Sequence, residues 1–215
     1  MARTWTIVVA AGGGTRFGAA KQFVRLGGAT VVERAIALAA ETTDDVVVVL
    51  PPDASWRPDA PVHAATGGAT RSDSVRAGLE VVPEDADIVV VHDAARPLAT
   101  AALFAAVIDA VRAGADGAIP VLPIADTVKR VEGDIVVATV PRADLVVVQT
   151  PQAFRAPALR SAHASGGAGT DDAALVEAAG GKVVAVPGDP RNVKLTVAFD
   201  LELVRAMLDD GSVSR

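Results

Sequence analysis

The chain has no cysteine, which excludes disulfides and thiolate metal sites. It has no apolar run of the roughly 18 residues that a membrane span needs, so no membrane partner is expected. Only 3% of its residues are aromatic although 51% are hydrophobic. The core is therefore expected to be built from small and branched side chains, chiefly alanine and valine. The segment Met1-Ala2-Arg3-Thr4-Trp5 runs straight into a strand and lacks the anatomy of a signal peptide. With the absence of cysteine, this leads us to expect a cytoplasmic protein. Positive charge is not in excess either. Twenty basic residues against 26 acidic ones leave a net charge of −6, which disfavours non-specific nucleic-acid binding. The arginines and lysines are instead scattered singly through loops, a distribution suited to a small anion. At 215 residues the chain is long enough for one substantial α/β domain, and a single domain over 1–215 is expected.

What is present is concentrated first in Ala10-Ala11-Gly12-Gly13-Gly14-Thr15-Arg16-Phe17-Gly18-Ala19-Ala20-Lys21. An apolar, β-branched run from Trp5 to Val9 precedes it and reads as a buried strand. Three successive glycines can wrap closely around phosphate oxygens and aim their N–H groups at them, and Arg16 and Lys21 add cations. This combination predicts a polyphosphate site. A dinucleotide fingerprint needs a third glycine where this chain has Phe17, and an acid at the tip of the second strand, where Val49-Leu50-Pro51-Pro52 stands. Gly13 and Gly18 have the spacing of a Walker A loop, but Ala19-Ala20 follow instead of Lys and Ser or Thr. Both common readings fail. A plain strand-to-helix turn needs neither cation.

Strand-like and helix-like runs alternate along the chain. Strands are predicted at Trp5–Ala10, Val46–Leu50, Pro61–Ala65, Asp87–Val91 and Gly117–Leu122. Helices are predicted at Thr30–Glu41, Ser72–Val82 and Thr100–Ala113. Near-continuous apolar strands imply a sheet covered on both faces, and the alternation implies a mostly parallel, doubly wound α/β sheet. After Pro123 the pattern changes. Ala125–Val131 and Asp134–Thr139 flank Gly133 and read as a hairpin without an intervening helix, a β-arm over about 124–146 that projects from the sheet. Leu145–Gln149 reads as a strand that returns to the body. Helices at Pro157–Ala164 and Asp171–Ala179, a strand at Lys182–Val186 and a helix at Val197–Leu208 complete the chain, with a frayed tail beyond Asp209.

Ligands of such sheets lie beyond the carboxyl ends of the strands. His92-Asp93-Ala94-Ala95-Arg96-Pro97 stands at one such end. Asp93 is placed there to hold Mg²⁺ beside triphosphate oxygens, or else to cap the helix that starts near Thr100, for which Thr100 itself is the better cap. His92 reads as a packed histidine that orients its neighbours, and Arg96 as a planar fork for phosphate or a surface ion pair. Gly67-Gly68-Ala69-Thr70-Arg71-Ser72-Asp73-Ser74 joins a strand to a helix and offers glycine N–H groups, a cation, hydroxyls and a helix N-terminus to a nucleotide; Ser72 or Asp73 reads equally as the N-cap of that helix. Asp171-Asp172 resembles an acid/base dyad. The plainer reading is that Thr170 caps a helix whose dipole the two acids meet. Lys194 either snorkels or meets an anion.

Together these segments resemble the 2-C-methyl-D-erythritol 4-phosphate cytidylyltransferase family, from Ile7 to about Leu208. The resemblance rests on A-A-G-x-G-x-R…K-Q, G-G-x-x-R-x-D-S, H-D-A-A-R-P, D-T-x-K, T-P-Q-x-F, T-D-D-A and N-x-K-x-T, in that order. It implies a Rossmann-like nucleotidyltransferase fold, CTP and methylerythritol phosphate as substrates, Mg²⁺, and a homodimer joined by the β-arm. It makes Arg16, Lys21 and Lys194 the transition-state cations and Asp93 the Mg²⁺ ligand. Ala10, Ala11, Gly12, Gly68 and Ser74 would lie along CTP, with Gly13, Gly14 and Arg71 in the same nucleotide site. Arg96, Thr127, Arg142, Thr150, Thr170 and Lys194 would surround the acceptor, Arg142 reaching across the dimer. Ala69 stands where family members often carry an acid, which leaves backbone recognition of cytidine at that position. The fused cyclodiphosphate synthase domain of some relatives is not expected. The implied reaction is in-line attack of an ionised phosphate oxygen on the α-phosphorus of CTP, with no general base. Alternatives are a ribitol 5-phosphate cytidylyltransferase or, from another class, a non-catalytic nucleotide-binding regulator.

Overall fold

A computed structural model describes residues 2–13, 20–164, 166–167 and 169–209. Along the chain run β1 (Thr4–Val9), a 3-10 turn (Lys21–Phe23), β2 (Arg25–Leu26), β3 (Ala29–Thr30), α1 (Val31–Thr42), β4 (Asp45–Leu50), β5 (His63–Thr66), α2 (Arg71–Val81), β6 (Ile88–Asp93) and α3 (Ala101–Arg112). There follow β7 (Gly117–Pro123), β8 (Val128–Glu132), β9 (Ile135–Val140), β10 (Val146–Val148), β11 (Gln152–Arg155), α4 (Ala156–Ala164), α5 (Asp172–Ala178), β12 (Val183–Pro187) and α6 (Ala198–Asp209). The central sheet is ordered β5-β4-β1-β6-β11-β7, with β12 on the far side of β7. Strands β5, β4, β1 and β6 are mutually parallel, as are β7 and β12. The expected mostly parallel, doubly wound sheet is therefore present.

The departure lies at the sheet's centre. Gln152–Arg155, for which the sequence predicted no strand, is a strand that pairs antiparallel with both β6 and β7. Its four residues are too few for a periodic signal, yet Ala153 and Phe154 are fully buried. Strand β10 precedes it along the same flank of β7, also antiparallel.

Alternation along the strands divides the core into two layers. Val8, Val48 and Val90 pack with Ile36 and Ala39 of α1 and Phe104 and Val107 of α3. Ile7, Val47 and Val89 face the other way, onto Val75 and Leu79 of α2, Leu159 of α4 and Val176 of α5. A third cluster joins Leu26, Val31, Leu98, Leu195 and Val204, so α6 is fixed against the strand-end loops. The expected hairpin is the β8–β9 pair, antiparallel, with Gly133 at φ +58 in its turn. It pairs with no other strand of the described chain and exposes Val131, Ile135 and Val136.

Helix α2 approaches the sheet closely at Gly78, where an added Cβ would lie 2.6 Å from Ile7 Cγ2 and 3.2 Å from Val49 Cγ2. Gly78→Ala gains about 1 kcal/mol of helix propensity, but overpacking against a fully buried central strand costs about 1–3 kcal/mol. The expected net effect is a destabilisation of about 1–2 kcal/mol, read as a lower denaturant midpoint at unchanged slope. A stabilised variant would show that α2 can lift off the sheet.

Candidate active site

Register brings the strand ends level: Val9 lies opposite both Asp93 and Val49, and Leu50 lies opposite Thr66. The loops after β1, β5 and β6 therefore converge on one edge. There they enclose a cavity of about 360 Å³, lined by Ala10, Ala11, Gly12, Gly13, Lys21, Gln22, Gly68, Arg71, Ser74, Asp93 and Lys194 among others. Helix α2 opens at the cavity through a capping box. Thr70 Oγ1 accepts from the Asp73 N–H at 3.0 Å, and Asp73 accepts from the Thr70 N–H at 2.9 Å. The expected cap at Ser72 or Asp73 is thus corrected to Thr70, with Asp73 as its reciprocal partner. Gly67 permits the close approach of loops, since a Cβ there would sit 2.2 Å from Ala11 Cβ.

Asp93 is the electrostatic centre. Oδ1 accepts from Arg71 Nε at 3.1 Å and Oδ2 from Lys194 Nζ at 2.6 Å. Burial alone would raise its carboxyl pKa, but the charges of Arg71 and Lys194 outweigh burial and hold it well below the usual carboxylate range. The Asp93 N–H donates to Thr150 Oγ1 at 3.1 Å. Arg71 in turn donates from Nη1 to Asp172 at 2.7 Å. Its burial would lower the guanidinium pKa, and the two carboxylates raise it instead. Lys194, snorkelling or anion-paired by its sequence context, is anion-paired. Lys21 Nζ donates to the carbonyl of Leu195 at 2.6 Å, so both lysines converge on the 192–196 loop.

The remaining sequence-derived positions divide clearly. Gly14 and Arg16 lie outside the described residues. Ala10, Ala11, Gly12, Gly13, Lys21, Gly68, Arg71, Ser74, Asp93 and Lys194 line the cavity together. Arg96 and Thr150 are buried behind it. Arg96 donates to the carbonyls of Asn192 at 2.8 Å and Val148 at 3.3 Å, tying β10 to the lysine-bearing loop. Burial lowers its pKa against the smaller opposing effect of Asp93. Thr127 and Arg142 are exposed at the base of the arm, where Arg142 donates to the Ala125 carbonyl. Thr170 is exposed, and Asp171, not Thr170, caps α5 by accepting from the Ala174 N–H at 2.9 Å. Asp172 does more than meet a dipole. It is fully buried, with one oxygen on Arg71 and the other 2.9 Å from His163 Nε2. As read from the sequence, Thr100 caps α3, and His92 is packed, against Phe104 and Thr150.

Sequence reasoning missed Gln22, which is 4% exposed, lines the cavity and has a buried Nε2 with no partner among the described residues; its place beside Lys21 was the available signal. It also missed His163, whose helical, small-residue surroundings carry no sign of a distant carboxylate.

Fold and cavity are those of a nucleotidyltransferase. The family model for 2-C-methyl-D-erythritol 4-phosphate cytidylyltransferase matches residues 4–210. The 2-C-methyl-D-erythritol 4-phosphate cytidylyltransferase of Rhodococcus jostii is 45% identical over 216 residues, which cover 96% of this chain and 95% of that protein. The "Bifunctional enzyme IspD/IspF" of Solidesulfovibrio magneticus is 45% identical across 92% of this chain but only 55% of its own length, so this chain spans about half of that protein. The crystal structure of the cytidylyltransferase from Thermus thermophilus superposes with a TM-score of 0.84 at 37% identity, over 97% of this chain and 100% of that one. The chain belongs to the 2-C-methyl-D-erythritol 4-phosphate cytidylyltransferase family.

The site has a measurable acid limit. Burial pushes the His92 imidazole down to about 4, below an ordinary 6.5. Between these values the unfolded chain binds a proton that the folded chain refuses, so stability falls as pH drops from 6.5 toward 4, by up to roughly 3 kcal/mol. The Asp93 carboxylate, held low, adds its loss only at more acid pH. Urea unfolding across this window is expected to show that slope, and His92→Asn to flatten it; an unchanged slope would assign the acid sensitivity elsewhere.

Proposed function

We propose that this chain transfers the cytidylyl group of CTP to 2-C-methyl-D-erythritol 4-phosphate. An ionised oxygen of the acceptor phosphate attacks the α-phosphorus of CTP. A new P–O bond forms, the bond from the α-phosphorus to the bridging oxygen breaks, and pyrophosphate leaves with its electron pair. The acceptor phosphate is already ionised near neutral pH, so no general base is needed. The task is to bring two anions together and stabilise charge that builds on the transferring group. The observation that carries this reading is the convergence of Lys21, Arg71 and Lys194 on a glycine-lined cavity at the sheet's carboxyl edge, in a chain of this family.

The donor set fits Mg²⁺ held chiefly by its substrate. Among the described residues no group of three or more potential protein ligands occurs, and Asp93 is the acidic side chain lining the cavity. Mg²⁺ typically takes one or two carboxylates and completes its shell with phosphate oxygens and water. When bound it would neutralise triphosphate charge. Asp93 would hold it, and Lys194 and Arg71 would keep that carboxylate ionised and aimed.

Exposed Val131, Ile135 and Val136 on the unpaired arm support a homodimer in which two arms pair across a two-fold axis. No helix among the described residues is long and apolar enough to cross a membrane, in keeping with work in the cytoplasm on small soluble substrates.

The direct test is pyrophosphate release from CTP with methylerythritol phosphate, with ribitol 5-phosphate, and with neither. Release that depends on methylerythritol phosphate is expected. Preference for ribitol phosphate would reassign the acceptor, and tight CTP binding without release would identify a regulator. Lys21→Ala is expected to lower kcat about 10²–10³-fold with a far smaller change in the KM for CTP; a rise in KM alone would remove Lys21 from the transition state.

Arg142 tests the dimer. A forked, charge-assisted contact from Arg142 to the acceptor phosphate in the other subunit's site predicts complementation. Mixing Arg142→Ala with Lys21→Ala chains should place both lesions in one site of the mixed dimer and leave the other intact, so that each mixed dimer recovers about half of wild-type activity. Confirmed mixed dimers without recovery would assign Arg142 to its own subunit.

A further inference from the structure

We propose that His163 is a positioning residue for this reaction: acting through Asp172, it fixes the direction in which Arg71 meets the nucleotide. The geometry is a buried chain of alternating charge. Arg71 Nε donates to Asp93 at 3.1 Å and Nη1 to Asp172 at 2.7 Å. Nη2 has no hydrogen-bond partner among the described residues. A guanidinium is planar and rigid, so pinning two of its nitrogens sets the direction of the third. Arg71 lines the cavity with 26% of its side chain exposed, and Nη2 is the nitrogen left to reach a ligand oxygen.

The second anchor depends on His163. Asp172 is 0% exposed, and no water replaces a lost partner without rearrangement. Its other oxygen lies 2.9 Å from His163 Nε2, on a side chain 2% exposed. A carboxylate only accepts, so the ring proton of this bond sits on Nε2. Among the described residues His163 Nδ1 has no partner, and the hydrogen bond of the imidazole there is the one to Asp172. The strut thus runs from α4 (His163) through the first turn of α5 (Asp172) to the first residue of α2 (Arg71) and the end of β6 (Asp93). Removing the donor from His163 leaves a buried carboxylate half-satisfied. Asp172 then turns to find another partner, and Arg71 loses its fixed aim. The effect falls first on the nucleotide, because Asp172 touches Arg71 directly, whereas the acceptor side is reached only through Asp93, whose Oδ2 and N–H keep their own bonds to Lys194 and Thr150.

This inference rests on the reading of the cavity as a CTP site. The experiment compares wild type, His163→Phe and His163→Gln as full chains. Steady-state kinetics are run in both substrates and CTP binding is followed by calorimetry. His163→Phe is expected to raise the KM and the Kd for CTP about tenfold, the scale of one charge-assisted hydrogen bond, while the acceptor KM stays within twofold. His163→Gln, whose Nε2 can reach Asp172, is expected to recover most of the CTP affinity. If His163→Phe does not fold, His163→Asn takes its place, since its amide is too short to reach the carboxylate. An unchanged CTP affinity, equal losses for both substrates, or failure of glutamine to recover affinity would each overturn the strut and leave His163 as a link between α4 and α5. Wild type that neither binds CTP nor releases pyrophosphate would instead overturn the nucleotide reading, and the strut with it.

Discussion

Asp93 is nearly shut off from water and yet ionised, and the site depends on how that is achieved. Desolvation opposes the charge, and Arg71 and Lys194, one on each carboxylate oxygen, restore it. The two cations come from opposite directions in the chain, one from the start of α2 and one from the segment before α6. A buried ion pair is weak evidence of net stability, because desolvation offsets much of the attraction, but an unpaired buried charge is costly. The arrangement therefore acts mainly as a constraint. Any conformation in which the end of β6, the start of α2 and the 192–196 loop do not meet leaves a charge stranded.

Apolar packing delivers the lysines to this meeting point. Leu195 is fully buried with Leu26, Val31, Leu98 and Val204, while its own carbonyl accepts from Lys21 and its neighbour Lys194 reaches Asp93. Burying one leucine thus locates two cations. Behind it, Asn192 Nδ2 donates to the Thr150 carbonyl at 2.9 Å and Arg96 donates to the Asn192 carbonyl. The loop is held by hydrogen bonds on the side away from solvent and by side-chain packing beneath. The cavity is open in front of a rigid back wall, as electrostatic preorganisation requires.

The strands, the helices and their order were legible because each is a local signal: continuous Val and Ile runs, helical periodicity, and Thr at a helix start. The cavity-lining positions were legible because their loops end strands, and parallel strands in such a sheet end together. Several features were not, and three show why. Strand β11 is too short to show a period, and its place between β6 and β7 is set by pairings far apart in the sequence. The cap of α5 falls on Asp171 and not Thr170 because Asp172 is drawn inward to Arg71 and His163, which moves the helix start by one residue. The buried role of His163 depends on a partner nine residues on and on an arginine on another helix, and no local pattern encodes that.

The glycines around the cavity separate packing from function. At Gly67 and Gly68 a Cβ would collide with Ala11 Cβ at 2.2 Å and Asp73 Cβ at 2.3 Å, so the fold itself demands glycine there. At Gly12 and Gly13 a Cβ would meet no atom of the described residues within 4 Å, and neither has a positive φ. Among the described residues neither packing nor backbone conformation requires glycine at these two positions. Both line the cavity, and close approach of backbone N–H groups to phosphate oxygens is a physical reason for glycine in the proposed nucleotide loop. The first pair builds the wall of the site and the second pair keeps the wall bare. The proposed anion site of Lys21, Arg71 and Lys194 draws on both, since all three cations line the same cavity as these glycines.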